Sequence, residues 1–263
     1  MTSPVRVHSV VEGPADGPAV VLSGSLGSDH RMWQPQMEPL VRQGFRVIRY
    51  DTRGHGASPV PPGPYTLDDL VADLVALLDE QGVERAHLAG LSLGGMTGMW
   101  AGVHAPERIA SLILCCTSAK LGPPSMWAER ARLVREQGTG VVAEGGVGRW
   151  VTPEYARRNP DEAEFLRAMI AGTSAEGYAA CCGIIERMDQ LDALPKITAP
   201  TVVIAGAEDP ATPPEHGRLI ADAIPGARLE IVEGAAHLGN YEQPAEFARI
   251  MLEHLKTVEG GKL

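Results

Sequence analysis

Short apolar, β-branched runs alternate with helical segments over most of this chain, and that alternation limits its fold more than any other feature. Residues 5–11, 19–23, 45–50, 86–89, 109–116, 201–205 and 228–232 read as strands. Several are apolar throughout, as expected of strands covered on both faces. The clearest helix spans 67–81, where Leu67, Leu70, Val71, Leu74, Leu77 and Leu78 follow helical spacing. Thr66 supplies its N-cap, Asp69 a shortened capping box and Gly82 its stop. Strands and helices in alternation predict a mostly parallel, doubly wound α/β sheet. The pattern lapses over 119–195, which is helical and irregular with no convincing strand, and resumes at Pro200. The expected organisation is an α/β core of residues 1–118 and 196–263, interrupted by a helical cap over 119–195. Such a cap would cover the C-terminal edge of the sheet, where open α/β folds bind ligands.

Within that frame, Gly90-Leu91-Ser92-Leu93-Gly94 reads G-x-S-x-G at a strand-to-helix junction. The run 86–89 precedes it, and a small-residue helix over 95–104 follows and stops before Pro106. A serine at such a turn is forced into a strained, exposed conformation, with glycines beside it because a Cβ would clash. The helix behind it aims free N–H groups and the positive end of its dipole at the hydroxyl. Ser92 is thus the candidate nucleophile, with half an oxyanion site beside it.

A serine hydroxyl needs a base, and the base needs an orienting acid. The chain order Ser…Asp…His suits a strand–turn–helix nucleophile. Asp209 follows the strand at 201–205, and His237 lies on the loop after the strand at 228–232. Both strand ends belong to the same edge of a parallel sheet as Ser92. Glu208 is the alternative acid, but it sits one residue nearer its strand. An acid after the preceding strand is excluded, because Cys116, Thr117 and Ser118 occupy that place. The other seven histidines read as packing or solvent residues. His55, in the glycine-rich turn 51–56, reads as a loop brace. The second oxyanion donor should come from the loop at 23–28, which makes the backbone N–H groups of Ser25 and Leu93 the best pair, with Leu26 as the substitute.

A formal charge of −10 argues against nucleic acid or an anionic membrane as partner. No run approaches the length of a membrane span, and the first ten residues lack the apolar core of a signal peptide. The adjacent pairs Cys115-Cys116 and Cys181-Cys182 have neither zinc nor C-x-x-C spacing, so free thiols in a reducing cytoplasm are expected. No ligand cluster for a metal or cofactor is visible.

These residues together resemble the α/β-hydrolase family and, within it, the 3-oxoadipate enol-lactonases. The general likeness covers the loop at 23–27, the turn at 51–56, the junction at Ser92, Asp209 and His237. The narrower one rests on Ser23-Gly24-Ser25-Leu26-Gly27-Ser28-Asp29, Arg49–Gly56, Gly90–Met96, Arg149-Trp150, Glu176-Gly177-Tyr178 and Ala236-His237-Leu238. The resemblance implies a cofactor-free serine hydrolase that opens a small carboxylated lactone in aromatic-compound catabolism. A buried substrate carboxylate needs a cation. Arg130 lies three residues after Trp127, on the same helical face, and Arg149 adjoins Trp150. Those four are the expected substrate contacts, with either arginine a candidate carboxylate anchor. The rival readings are another hydrolase on this scaffold (an esterase, a perhydrolase or a C–C hydrolase) and, from a different class, a non-catalytic ligand sensor.

Overall fold

The computed structural model describes residues 3–260. Strands β1 (Ser9–Glu12), β2 (Ala19–Ser23), β3 (Arg46–Tyr50), β4 (Ala86–Leu91), β5 (Ile109–Cys115), β6 (Thr201–Gly206) and β7 (Arg228–Val232) form one sheet in the order β1-β3-β2-β4-β5-β6-β7. Only β1 runs antiparallel. Its residues 5–8, expected as strand, lie outside the ladder. There the Val5 N–H donates to Asp73 Oδ1 at 2.7 Å and the His8 N–H to Ser58 Oγ at 2.8 Å. Side chains therefore take these two N–H groups, while the His8 carbonyl still accepts the Asp51 N–H at 3.0 Å.

Period-two alternation splits the central strands between two cores. Val21, Leu88, Leu112 and Leu114 face one side, with helices α2 (Leu67–Glu80) and α3 (Leu93–His104) packed over them. Val20, Leu22, Ala89, Leu91 and Ile113 face the other, against α1 (Gln34–Arg42) and α11 (Pro244–Val258). Helix α2 starts as its sequence dictates. Thr66 Oγ1 accepts the Asp69 N–H and Asp69 accepts the Thr66 N–H, a reciprocal cap worth about 0.5–2 kcal/mol.

Between β5 and β6 the chain forms α4 (Pro124–Gln137), α5 (Gly140–Trp150), α6 (Pro153–Arg158), α7 (Pro160–Ala171) and α8 (Ala175–Arg187), with no strand. Buried residues of α4 and α8 extend one core, and those of α5 and α7 extend the other. Helix α9 (Pro214–Ala223) links β6 to β7, and the short α10 (Gly239–Glu242) precedes α11. No single helix among the described residues is long and apolar enough to cross a membrane.

Strand order reverses between β2 and β4, which pair in parallel with Ser23 opposite Gly90. The loop after β2 and the turn after β4 therefore leave the same sheet edge side by side, where ligands of such sheets bind.

Candidate active site

Ser92 joins β4 to α3 with φ 55° and ψ −112°, a left-handed conformation that costs about 1–3 kcal/mol for a residue with a side chain. Surrounding bonds hold it there. The Ser92 N–H donates to the Cys115 carbonyl at 3.0 Å, and the Ser92 carbonyl accepts the Thr117 hydroxyl at 2.7 Å. The flanking glycines are sterically required. A Cβ on Gly90 would lie 2.2 Å from the Gly94 carbonyl oxygen, and one on Gly94 would lie 2.2 Å from that of Ser23.

Asp209 and His237 leave the adjacent strands β6 and β7, which pair with Gly206 opposite Val232. His237 Nδ1 lies 2.8 Å from Asp209 Oδ2. The opposite oxygen, Oδ1, accepts the N–H groups of Ala211 at 2.8 Å and Thr212 at 3.0 Å. Thr212 also donates its hydroxyl to Oδ2 at 2.7 Å and sits 3.3 Å from His237 Nδ1. Burial by itself would raise the Asp209 carboxyl. The electrostatic pull and hydrogen bond of His237, with the Thr212 donors, outweigh it and hold the group below its usual range as a buried carboxylate. Glu208, the alternative acid, is exposed and turns away, its N–H bonded to the Ala235 carbonyl.

The histidine loop is tied to the helices between β5 and β6. The His237 N–H approaches the Arg149 carbonyl at 3.4 Å, and the Leu238 N–H donates to the Trp150 carbonyl at 2.7 Å. Buried Glu242 accepts from the Ala236 N–H at 2.6 Å and from the N–H and hydroxyl of Thr152 at 2.8 and 2.7 Å.

The loop after β2 is equally constrained. The Gly27 N–H donates to His55 Nε2 at 3.0 Å, and the Gly27 carbonyl accepts the Thr173 hydroxyl at 3.2 Å. Burial pushes the His55 imidazole down from its usual value and keeps it neutral, the form in which Nε2 accepts. His55 thus braces this loop, as its turn suggests. The Ser25 N–H faces the Met32 sulfur at 3.2 Å, a weak acceptor. Leu93 is the first residue of α3, so its N–H has no carbonyl partner one turn back.

A cavity of about 280 Å³ opens onto these groups. Ser25, Leu26, Ser92 and His237 line it from the sheet, and Trp127, Arg130, Arg149, Trp150 and Tyr178 from the helices above. All four expected substrate contacts are therefore brought to the wall of the cavity that holds Ser92. The Arg130 guanidinium lies 4.7 Å from the Trp127 ring centroid, the stacked pair that their three-residue spacing suggests. Among the described residues, no carboxylate lies within ion-pair distance of Arg130 or Arg149. Burial lowers the Arg149 pKa, and the charge of Arg130 lowers it further. Burial likewise pushes the Tyr178 hydroxyl up to about 12, against the pull of both arginines.

Sequence patterns gave no sign of Thr212, Glu242 or Met32, whose roles depend on contacts across the fold. The same is true of a second cluster away from this cavity. His30 Nδ1 lies 2.8 Å from Asp51 Oδ1 and His8 Nδ1 lies 3.0 Å from Oδ2. These groups have metal-ligand chemistry. The carboxylate, however, also accepts the N–H groups of His30 at 2.7 Å and Ala57 at 2.9 Å, which makes the arrangement a hydrogen-bonded brace. All four cysteines are buried free thiols.

The profile described as "Alpha/beta hydrolase family" matches residues 19–250, and the chain belongs to that family. Among curated relatives, 3-oxoadipate enol-lactonase 2 of Acinetobacter baylyi is 44% identical, over 92% of this chain and 90% of the relative. The 3-oxoadipate enol-lactonase 1 of the same organism is 36% identical, over 95% of this chain and 92% of its own length. Among solved structures, the enol-lactonase from Burkholderia xenovorans LB400 superposes with a TM-score of 0.93 at 38% identity, covering 95% of this chain and 96% of that one.

Proposed function

We propose that this protein is a cytoplasmic, cofactor-free serine hydrolase that opens 3-oxoadipate enol-lactone to 3-oxoadipate, within the breakdown of aromatic compounds. The observation that carries this reading is a strained serine sharing one cavity with an Asp-paired histidine and two arginines that lack acidic partners among the described residues. The names of the relatives, enol-lactonases over nearly the whole chain, favour the lactone over other esters. In this reading residues 119–195 act as a cap on a core made of 1–118 and 196–263.

The chemistry follows from the groups present. Asp209 holds the His237 Nδ1–H, so Nε2 carries the lone pair that removes the Ser92 proton. Ser92 Oγ attacks the lactone carbonyl, and the Leu93 and Ser25 N–H groups stabilise the oxyanion. A charged oxygen is a far better acceptor than the Met32 sulfur, so the Ser25 N–H is available when charge develops. Collapse of the tetrahedral intermediate breaks the acyl–oxygen bond and expels an enolate. That enolate takes up the proton held on His237 and becomes a ketone, which makes it an easy leaving group and returns His237 to the neutral base. Water, deprotonated by His237, then attacks the acyl-enzyme and releases the second carboxylate. Arg130 or Arg149 anchors the carboxylate already on the substrate.

Steady-state assays of the purified protein on the enol-lactone and on a neutral aryl ester test this reading. The expected result is a kcat/KM higher on the lactone, and a Ser92→Ala variant that folds normally but loses several orders of magnitude on both. An enzyme that prefers the neutral ester, or a folded Ser92→Ala variant that retains substantial turnover, refutes it.

A further inference from the structure

The chain carries 33 acidic residues and a net charge of −10, and many of its arginines are ion-paired. Arg53 pairs with Asp73, Arg135 with Glu176, and Arg132 and Arg249 each with two glutamates. Arg130 and Arg149 depart from this pattern in the same place. Both line the Ser92 cavity, and among the described residues no aspartate or glutamate lines it with them. Much of the remaining wall is apolar, including Trp127, Trp150, Ile170 and Ile185. Two like charges against such a wall repel each other through a medium that screens them less than water does. The mutual effect is visible in Arg149, where the charge of Arg130 adds to the cost of burial.

A lactone with one carboxylate offers a single negative charge to this pair and leaves one guanidinium uncompensated. Hydrolysis changes that balance. The acyl–oxygen bond breaks, the oxygen of water becomes part of a new carboxylic acid, and at neutral pH that acid gives up its proton. The opened chain then carries two negative charges facing two positive ones. We propose that the cavity is a recognition site for short dicarboxylates. The reaction product and unreactive dicarboxylates of similar length then bind the resting enzyme in competition with substrate, more tightly than monocarboxylates do. The identity of the product rests on the lactonase reading, whereas the charge preference rests on the cavity alone.

Calorimetric titration with adipate and hexanoate, which share a six-carbon chain and differ by one carboxylate, requires no catalysis. The wild-type protein should bind adipate at least about tenfold more tightly, equivalent to roughly 1.4 kcal/mol. Arg130→Met and Arg149→Met should each cut that preference to within about threefold, because one charge-assisted contact is lost. Raising the salt from roughly 0.02 to 0.5 M should narrow the wild-type preference, a readout that stands even if a variant fails to fold. Equal binding of the two acids by the wild-type protein overturns the proposal, as does an adipate preference that survives both substitutions in folded variants. A protein that prefers adipate but does not open the enol-lactone would keep this inference and lose the lactonase reading. A lactonase with no such preference would do the reverse.

Discussion

Replacing Asp209 by Asn tests the orientation of His237, the proposed catalytic base, because the surrounding donors dictate how the amide must sit. Oδ1 accepts two backbone N–H groups, from Ala211 at 2.8 Å and Thr212 at 3.0 Å. Only the amide oxygen can accept there, so the amide nitrogen is forced into the Oδ2 position. That position faces His237 Nδ1 at 2.8 Å. An NH₂ group directed at Nδ1 turns that nitrogen into an acceptor and moves the imidazole proton to Nε2. The base then presents a proton to Ser92 where it should present a lone pair, and the negative charge that stabilises the imidazolium is gone as well. Loss of both functions in a serine–histidine–aspartate system costs about three to four orders of magnitude in kcat, roughly 4–5.5 kcal/mol. Kinetics on the lactone and the aryl ester should show equal proportional losses in kcat, and ¹⁵N NMR of the imidazole should report the proton on Nε2. Glu208→Gln, at an exposed position, should stay within a few-fold of the wild type. An Asp209→Asn enzyme within tenfold of the wild type, or a Glu208→Gln enzyme that is the more damaged of the two, would refute the argument.

Two further outcomes are expected. Methionine in place of the arginine that anchors the substrate should raise KM for the enol-lactone by about ten- to more than a hundredfold, the loss of a contact worth roughly 1.5–3 kcal/mol, with a smaller change for a neutral ester; equal losses on both substrates would mean that the arginine supports the helices instead. His254 is buried with no partner for Nε2, and burial, aided by Arg228 and His87, pushes its pKa down to about 4. Its depressed pKa makes the unfolded chain the better proton binder, so its stabilising contribution is complete above about pH 6.5 and falls as the pH drops towards 4. Urea titrations should show about 2 kcal/mol of this loss between pH 7.5 and 5, and His254→Leu should flatten the slope by that amount; an unchanged slope in the variant would assign the acid sensitivity elsewhere.

What the sequence discloses follows from how far apart the interacting residues lie. The capping box of α2 joins residues three apart, and both of its hydrogen bonds appear at Thr66 and Asp69. The strands of the parallel sheet were legible because both of their faces are buried, which leaves uninterrupted apolar runs. β1 was less so, because an edge strand of four residues shares its composition with the coil before it. The elbow at Ser92 is only partly local, since Gly90 answers to the backbone of Gly94 four residues on, while Gly94 answers to that of Ser23 across the sheet edge. Asp209 and His237 required one more step, the rule that successive parallel strands end at one edge. Beyond that step local pattern carries little. Thr212 resembles any loop threonine, and the Glu242–Thr152 bond spans 90 residues. Helix α5 includes Gly140, Gly145, Gly146 and Gly148, so its apolar spacing is faint even though it delivers Arg149 and Trp150 to the cavity.

The contacts of α5 also tie the proposed binding and catalytic groups together. Its last carbonyls, from Arg149 and Trp150, face the N–H groups of His237 and Leu238. Glu242 then fastens the next stretch of chain, at Thr152, to Ala236 on the same loop. Arg149 and His237 therefore belong to one hydrogen-bonded unit, although 88 positions separate them in sequence. A shift of α5 would carry the imidazole with it, and a shift of the histidine loop would carry the guanidinium. The loop after β2 is fixed in the same way from the other side, through Thr173 and His55 on the two polar groups of Gly27. Ser92, the proposed nucleophile, is fixed by β4, α3, the Cys115 carbonyl and the Thr117 hydroxyl, whereas the His237 loop and the expected oxyanion loop each depend on a bond to the α4–α8 segment. That segment therefore supplies more than a cover for the cavity. It sets the positions of the groups on which, in the proposed mechanism, proton transfer and charge stabilisation at Ser92 depend.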